Sequence, residues 1–182
     1  MSNFRGIVDP RDYGSKNPGA TNVFRSGDWL AGLLTFLGDF TKGYGSVVLA
    51  SLASKILLND QNFILAITVL VSIAVVVGHI YPIFYDFKGG KGVATTFGVL
   101  LAISFTLGGM ASFVWVITFL ITKISGFAAI STALSLPVIA FFVIKIEYHH
   151  EFWLIYGMIC ALSTLLLFRH WTNILCLIRE SK

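Results

Sequence analysis

Charged side chains are scarce in this chain: Asp, Glu, Lys and Arg make up 12% of its 182 residues, against about 25% in an ordinary soluble domain. That deficit argues against a water-soluble globule. Cysteine is scarcer still. Cys160 and Cys176 are the two present, which leaves no disulfide framework and no Cys/His spacing of a zinc site. No Ser/Pro-rich linker, block of like charge or internal repeat divides the sequence, and the N-terminal residues carry no apolar signal-peptide core. The net charge of +4 is too small to point to nucleic acid.

Apolar residues fill the space that charge leaves, with 56% of the chain hydrophobic and a mean hydropathy of +0.82. Polar residues dominate 1–28. Apolar segments then run over 29–54, 62–84, 92–104, 107–122, 127–144 and 152–168, and a basic amphipathic tail fills 169–182. A bilayer crossing takes about 20 apolar residues, so the third and fourth segments are short and could be one helix over 92–122. Thr106-Leu107-Gly108-Gly109 argues for a break there, because two glycines weaken a helix interior. Charge placement decides the count. Six spans put Arg5, Arg11, Lys16, Arg25, Lys88, Lys91, Lys123, Arg169, Arg179 and Lys182 on one side and only Lys55 and Lys145 on the other. Five spans would split the same charges almost evenly. The expectation is an all-α, polytopic transmembrane helix bundle of about six spans. It forms one domain over 1–182, with both termini and the polar loops cytoplasmic.

Two polar loops carry the chemistry. Gly14-Ser15-Lys16-Asn17-Pro18-Gly19-Ala20-Thr21-Asn22-Val23-Phe24-Arg25 offers backbone N–H groups, two hydroxyls and a guanidinium, a set suited to phosphate. Lys88-Gly89-Gly90-Lys91-Gly92 repeats the theme. It is no nucleotide-binding P-loop, since position 85 is Tyr and position 92 is Gly where that motif needs Gly and Ser or Thr. A glycine-rich turn entering a helix beside a lysine still suits an anion. Asp39 and Lys42 lie i, i+3 inside the first span, where unpaired charge is costly, and are read as a pair supporting the site. His79 ends the second span. His149 and His150 sit beside Glu147 and Glu151 on the far side and are read as exposed loop residues rather than metal ligands. Arg169, His170 and Asn173 are expected on one helix face.

Taken together, these segments resemble the bacterial acyl-phosphate:glycerol-3-phosphate acyltransferases, the PlsY type. The resemblance rests on the first loop, on Asp39-Phe40-Thr41-Lys42-Gly43, on Gly78-His79-Ile80-Tyr81-Pro82, on Phe87-Lys88-Gly89-Gly90-Lys91-Gly92-Val93-Ala94-Thr95 and on Arg169-His170-Trp171-Thr172-Asn173-Ile174, in that order. It implies transfer of a fatty acyl group from acyl phosphate to the 1-hydroxyl of glycerol 3-phosphate, giving lysophosphatidate and phosphate for phospholipid synthesis. It further implies a monomeric, multi-pass protein of the bacterial inner membrane that needs no cofactor or metal. Family members usually begin with one more apolar helix, making seven spans, so a shortened start is expected here. They also often carry serines where this chain has Ala128-Ala129, so a hydroxyl contact to phosphate is expected either to be lost or to come from Ser125 or Ser131.

On that reading Ser15, Arg25, Lys91, His170 and Asn173 are the catalytic set. Asn17, Gly19, Thr21, Asn22, Lys88, Gly89, Gly90, Gly92 and His79 bind substrate. The first loop holds the donor's phosphate, the Lys91 loop holds glycerol 3-phosphate, Arg25 lies between the two phosphates, and the leaving phosphate is favoured to take the proton, with His79 and His170 as the alternative acceptors. The competing expectations are an anion or phosphate transporter built on short, interrupted helices, and an inactive, truncated lipid-binding scaffold.

Overall fold

A computed structural model describes residues 8–180 of the chain, with side chains through residue 175. The described residues are helical, without strands. A short helix α1 (Ala20–Phe24) precedes α2 (Trp29–Leu57) and α3 (Gln61–Ile80). A 3-10 turn at Ile83–Tyr85 leads to α4 (Val93–Ile103), then α5 (Phe105–Thr122), α6 (Ser125–Glu147), α7 (Phe152–Arg169) and α8 (Trp171–Glu180). Helices α2 to α7 coincide with the six apolar segments. Four stretches, Gln61–Tyr85, Phe105–Thr122, Ser125–Glu147 and Phe152–Arg169, are long and apolar enough to cross a membrane. Helix α2 has the length but interrupts its apolar run with Asp39, Lys42 and four glycines. Helix α4 has 11 residues, which at about 1.5 Å each reach only half of a bilayer core.

The turns alternate between two ends. The Tyr148 hydroxyl, after α6, donates to the Ile103 carbonyl at the end of α4 over 2.5 Å. Lys55, Gln61, Tyr148 and Glu151 line one small cavity of about 330 Å³ at that end. Residues 9–28, the turn after α3, the start of α6 and His170 gather at the other end. Between them lies a core of large, fully buried aliphatics, among them Ile80, Leu100, Leu107, Leu136, Ile144 and Ile159.

Helices in an apolar solvent associate by close packing and hydrogen bonding rather than by expelling water. Both devices are present. Helix α4 lies against α2 with almost no side-chain spacer: a Cβ on Gly43 would stand 2.2 Å from the Thr95 carbonyl oxygen, and one on Gly98 2.2 Å from that of Phe40. In α6, Pro137 has no N–H for the Ala133 carbonyl one turn back. The Ser163 hydroxyl of α7 donates to that carbonyl over 2.5 Å, so the proline also ties the two helices together.

The break between the third and fourth segments is real but lies earlier than the glycines suggest. Ser104 is extended (φ −148°, ψ 120°), and its hydroxyl accepts the Leu107 N–H over 3.0 Å, capping α5. Gly108 and Gly109 are inside α5. A Cβ at Gly108 would stand 2.6 Å from Leu101 Cα, so this glycine lets α5 fold back on α4 instead of ending a helix.

These contacts predict opposite behaviour for two nearby glycines. Gly43→Ala should destabilise the bundle by about 1–3 kcal/mol through overpacking. Gly45→Ala, with open space at its Cβ, should be neutral or gain up to about 1 kcal/mol of helix propensity. Thermal unfolding in detergent compares them, and equal midpoints would disprove the tight crossing.

Candidate functional site

The first loop is held in shape by its own asparagine. Asn22 is buried; its Oδ1 accepts the Ser15 N–H over 2.9 Å, and its Nδ2 donates to the carbonyls of Pro10 at 2.6 Å and Tyr13 at 3.1 Å. The amide therefore has no hydrogen left for a ligand. The expectation that Asn22 contacts substrate with its side chain is corrected to a positioning role: it folds the loop so that Ser15, Asn17 and Thr21 face a cavity.

The second loop rests on a cluster inside the bundle. Lys42 Nζ lies 2.7 Å from Asp39 Oδ1 and 2.5 Å from His79 Nδ1, and His79 Nδ1 is 3.3 Å from the same carboxylate. The pair expected from the i, i+3 spacing is thus a three-membered cluster joining α2 to α3. The imidazole so fixed packs on Gly90, where a Cβ would stand 2.1 Å from His79 Nε2. The carbonyls of Ile80 and His79 accept the N–H groups of Gly89 (3.1 Å) and Gly90 (3.2 Å). These contacts place Lys91 and Gly92 at the start of α4.

A cavity of about 660 Å³ opens between the two loops, within the size range of ordinary ligand sites. Ser15, Asn17, Gly19, Thr21, Asn22, Arg25, His79, Lys91, Gly92, His170 and Asn173 all line it. Lys91 Nζ donates to Asn173 Oδ1. Asn173 in turn abuts the start of α6, where a Cβ on Gly126 would stand 2.5 Å from its Nδ2. Helices α4 and α6 begin at this cavity without a side-chain cap, so their first-turn N–H groups and partial positive charge are open to an anion. Ser125 lines the cavity with Ala129; Ser131 does not.

The cations act on one another. Burial, then the charges of Arg169 and Arg25, push the Lys91 ammonium below its ordinary pKa of 10.5. His170 is 3% exposed and its Nδ1 lies 2.8 Å from the Leu166 carbonyl. Burial, helped by Lys91 and Arg169 and opposed by that carbonyl, lowers its pKa to about 4. It is therefore neutral at pH 7. With Nδ1–H assigned to the carbonyl, Nε2 is left as an acceptor.

Three expectations need correction. Lys88 and Gly89 do not line this cavity but a neighbouring one, with Lys16 and Arg169. Gly90 is buried under His79 and lines neither. Arg169 does not share a face with His170 and Asn173, because α7 ends at Arg169 and α8 begins at Trp171. Its guanidinium turns to the Gly90 carbonyl at 3.4 Å and the Tyr81 ring at 5.4 Å. The sequence reading missed the apolar wall: Leu33 and Phe36 of α2, Phe97 of α4, and Trp115, Val116 and Phe119 of α5. Positions 112, 115, 116 and 119 form one helical stripe, but α5 is apolar on every side and its pattern marks no inner face. Among the described residues, no group of three or more His, Cys, Asp or Glu is placed to hold a metal ion.

Replacing the Asn22 amide by a nearly isosteric carboxylate tests its positioning role. Asn22→Asp removes two donors and sets negative charge against two carbonyls, so tryptic cleavage at Arg11, Lys16 or Arg25 should accelerate by about tenfold or more. An unchanged cleavage rate would show that the loop does not depend on Asn22.

Comparison with known proteins bears on this arrangement. Residues 1–180 match the family described as Glycerol-3-phosphate acyltransferase. The chain is 42% identical over 184 residues to the glycerol-3-phosphate acyltransferase of Neisseria meningitidis serogroup A, covering 100% of this chain and 87% of the relative. It is 45% identical over 172 residues to that of Methylobacillus flagellatus, covering 93% and 79%. Its fold matches the crystal structure of PlsY, an integral membrane glycerol 3-phosphate acyltransferase, in its glycerol 3-phosphate form, with TM-score 0.80, 32% identity, and coverage of 98% of this chain and 82% of that one. The lysophosphatidic acid form of PlsY matches with TM-score 0.79 and 31% identity over the same shares. The family match over residues 1–180 and the 42–45% identity to these relatives show that the chain belongs to the glycerol-3-phosphate acyltransferase family.

Proposed function

We propose that the protein transfers a fatty acyl group from acyl phosphate to the 1-hydroxyl of glycerol 3-phosphate, forming lysophosphatidate and inorganic phosphate. One observation carries this reading: a single cavity joins a polar end, with Arg25, Lys91 and two uncapped helix N-termini, to an apolar end walled by α2 and α5. Two phosphates and an acyl chain have that distribution of polarity. Phe36 and Val116 line the cavity and are exposed, which supports entry of the acyl chain from the bilayer.

The reaction breaks the bond between acyl carbon and phosphate oxygen and forms an ester to the glycerol oxygen. Its needs are neutralisation of two phosphates, stabilisation of the carbonyl oxygen as it gains charge, and removal of one proton. Ser15, Thr21 and the amides of their loop hold the donor's phosphate. Lys91, set by Asn173, holds glycerol 3-phosphate, and Arg25 lies between. Nothing in this arrangement gives His170 the strength of a base, since a group with a pKa of about 4 attracts a proton weakly at pH 7. The departing phosphate, a better base, takes the proton, while His170 accepts a hydrogen bond that orients substrate.

The placement of charge supports a bacterial plasma membrane setting with the cavity on the cytoplasmic side. Arg11, Lys16, Arg25, Lys88, Lys91, Lys123 and Arg169 lie at the cavity end, Lys55 and Lys145 at the other, as the positive-inside rule requires.

Purified protein given palmitoyl phosphate and glycerol 3-phosphate should release phosphate and lysophosphatidate in equal amounts, each dependent on both substrates. Activity with acyl-CoA in place of acyl phosphate would overturn the donor assignment. Arg25→Lys should lower kcat/KM by about tenfold or more, because a point charge cannot replace a two-pronged contact. A near-wild-type value would remove Arg25 from its role.

The pH profile offers a separate check. Lys91 loses its proton as pH rises through its lowered pKa, so kcat/KM for glycerol 3-phosphate should fall on a basic limb below pH 10.5. Arg169→Gln removes a neighbouring positive charge and should shift that limb upward. His170→Ala should reduce turnover while leaving the profile between about pH 6 and 9 unchanged in shape. Loss of a limb in that window would make His170 the base.

A further inference from the structure

Beside the reaction cavity lies a second one of about 670 Å³, lined by Arg11, Lys16, Lys88 and Arg169 together with Asp12 and Asp86. The reading above leaves it unused. The wall between the two is thin. Lys16 is flanked by Ser15 and Asn17, Arg169 is followed by His170, and Lys88 and Gly89 precede Lys91, so three segments give neighbouring residues to opposite sides.

Four cations against two carboxylates is a dense excess of positive charge in a chain this poor in charge. Arg11 is engaged, 3.9 Å from Asp9 and stacked 5.0 Å over the Tyr85 ring. Among the described residues, no ion pair joins Lys16, Lys88 or Arg169 to any carboxylate. The Nε atoms of Arg11 and Arg169 are buried without a partner. Cations so clustered repel one another until an anion enters, and guanidinium and ammonium groups around a polar basin suit phosphate oxygens.

The rim adds a second property. Phe84, Tyr85 and Phe87 line the basin yet are largely exposed, Phe84 to 95%. They sit just past the end of α3, where aromatic side chains anchor at a headgroup layer. A phosphate carried by a lipid and one dissolved in water are both within reach of this position.

We propose that this basin is a second phosphate-monoester site, separate from the reaction cavity, formed by Lys16, Lys88, Arg169 and Arg11. Its ligand is a dianionic phosphate, free in solution or at the head of an anionic lipid. The site stands on its own residues and does not require the acyl-transfer reading to be right.

Inorganic phosphate titrated calorimetrically into the full chain, in nanodiscs of zwitterionic lipid, tests it. A phosphate site that survives Lys91→Gln is expected, besides any in the reaction cavity. Lys16→Gln with Lys88→Gln should weaken that site by about tenfold or more and spare the others, and Lys91→Gln should leave it intact. Both lysines of the double variant are exposed, so folding is not at stake. Repeating the titration of Lys91→Gln in nanodiscs containing lysophosphatidate separates the sources. Loss of the surviving site there identifies the lipid headgroup as occupant, and an undiminished site identifies soluble phosphate. Wild-type binding by the double variant, or loss of all phosphate binding in Lys91→Gln, would each overturn the proposal. Failure of acyl transfer would show in product formation and leave these titrations unaffected.

Discussion

The packing of His79 on Gly90 is the contact on which the functional end of the molecule depends. The imidazole is held from behind by Lys42 and Asp39 and can touch the loop backbone because position 90 has no side chain. The last carbonyls of α3 accept the N–H groups of Gly89 and Gly90. Three consequences follow: Lys91 is delivered to one cavity, Lys88 to another, and α4 starts with its amides open. Charged groups at membrane depth are expensive, and here a cluster linking two helices both satisfies them and fixes a loop outside the bundle.

Electrostatics at this end is organised for a guest rather than for the protein alone. Lys91, Arg25 and Arg169 are close enough to depress the Lys91 pKa, and His170 is kept neutral beside them. Such mutual repulsion disfavours the empty site and is relieved by a bound anion, so the field that opposes proton uptake by His170 favours phosphate. The same field makes a neutral histidine and a departing phosphate a more consistent pair than a histidine base.

The bundle meets the demands of an apolar solvent with few polar devices. Ser104 caps α5, Ser163 answers the carbonyl that Pro137 leaves free, and glycines bring α2 and α4 into backbone contact. The short α4 leaves room between α2 and α5, and the apolar half of the cavity occupies that room.

Much of this was legible in the sequence. Apolar run lengths gave the helices to within a few residues, and the asymmetry of Lys and Arg gave the alternation of ends, because both follow from the cost of placing polar groups in a bilayer. The glycine-rich loops and their hydroxyl, amide and cationic groups announced phosphate chemistry, because donor type is carried by residue identity alone. Tertiary structure decided the rest. In helices that are apolar all round, periodicity marks no inner face, so Trp115, Val116 and Phe119 could not be told from lipid-facing neighbours. In loops, the direction of a side chain depends on backbone torsions set by distant partners. That is why Asn22 turned inward, why Lys88 and Lys91 went to different cavities, and why Arg169 and His170 parted at the end of one helix.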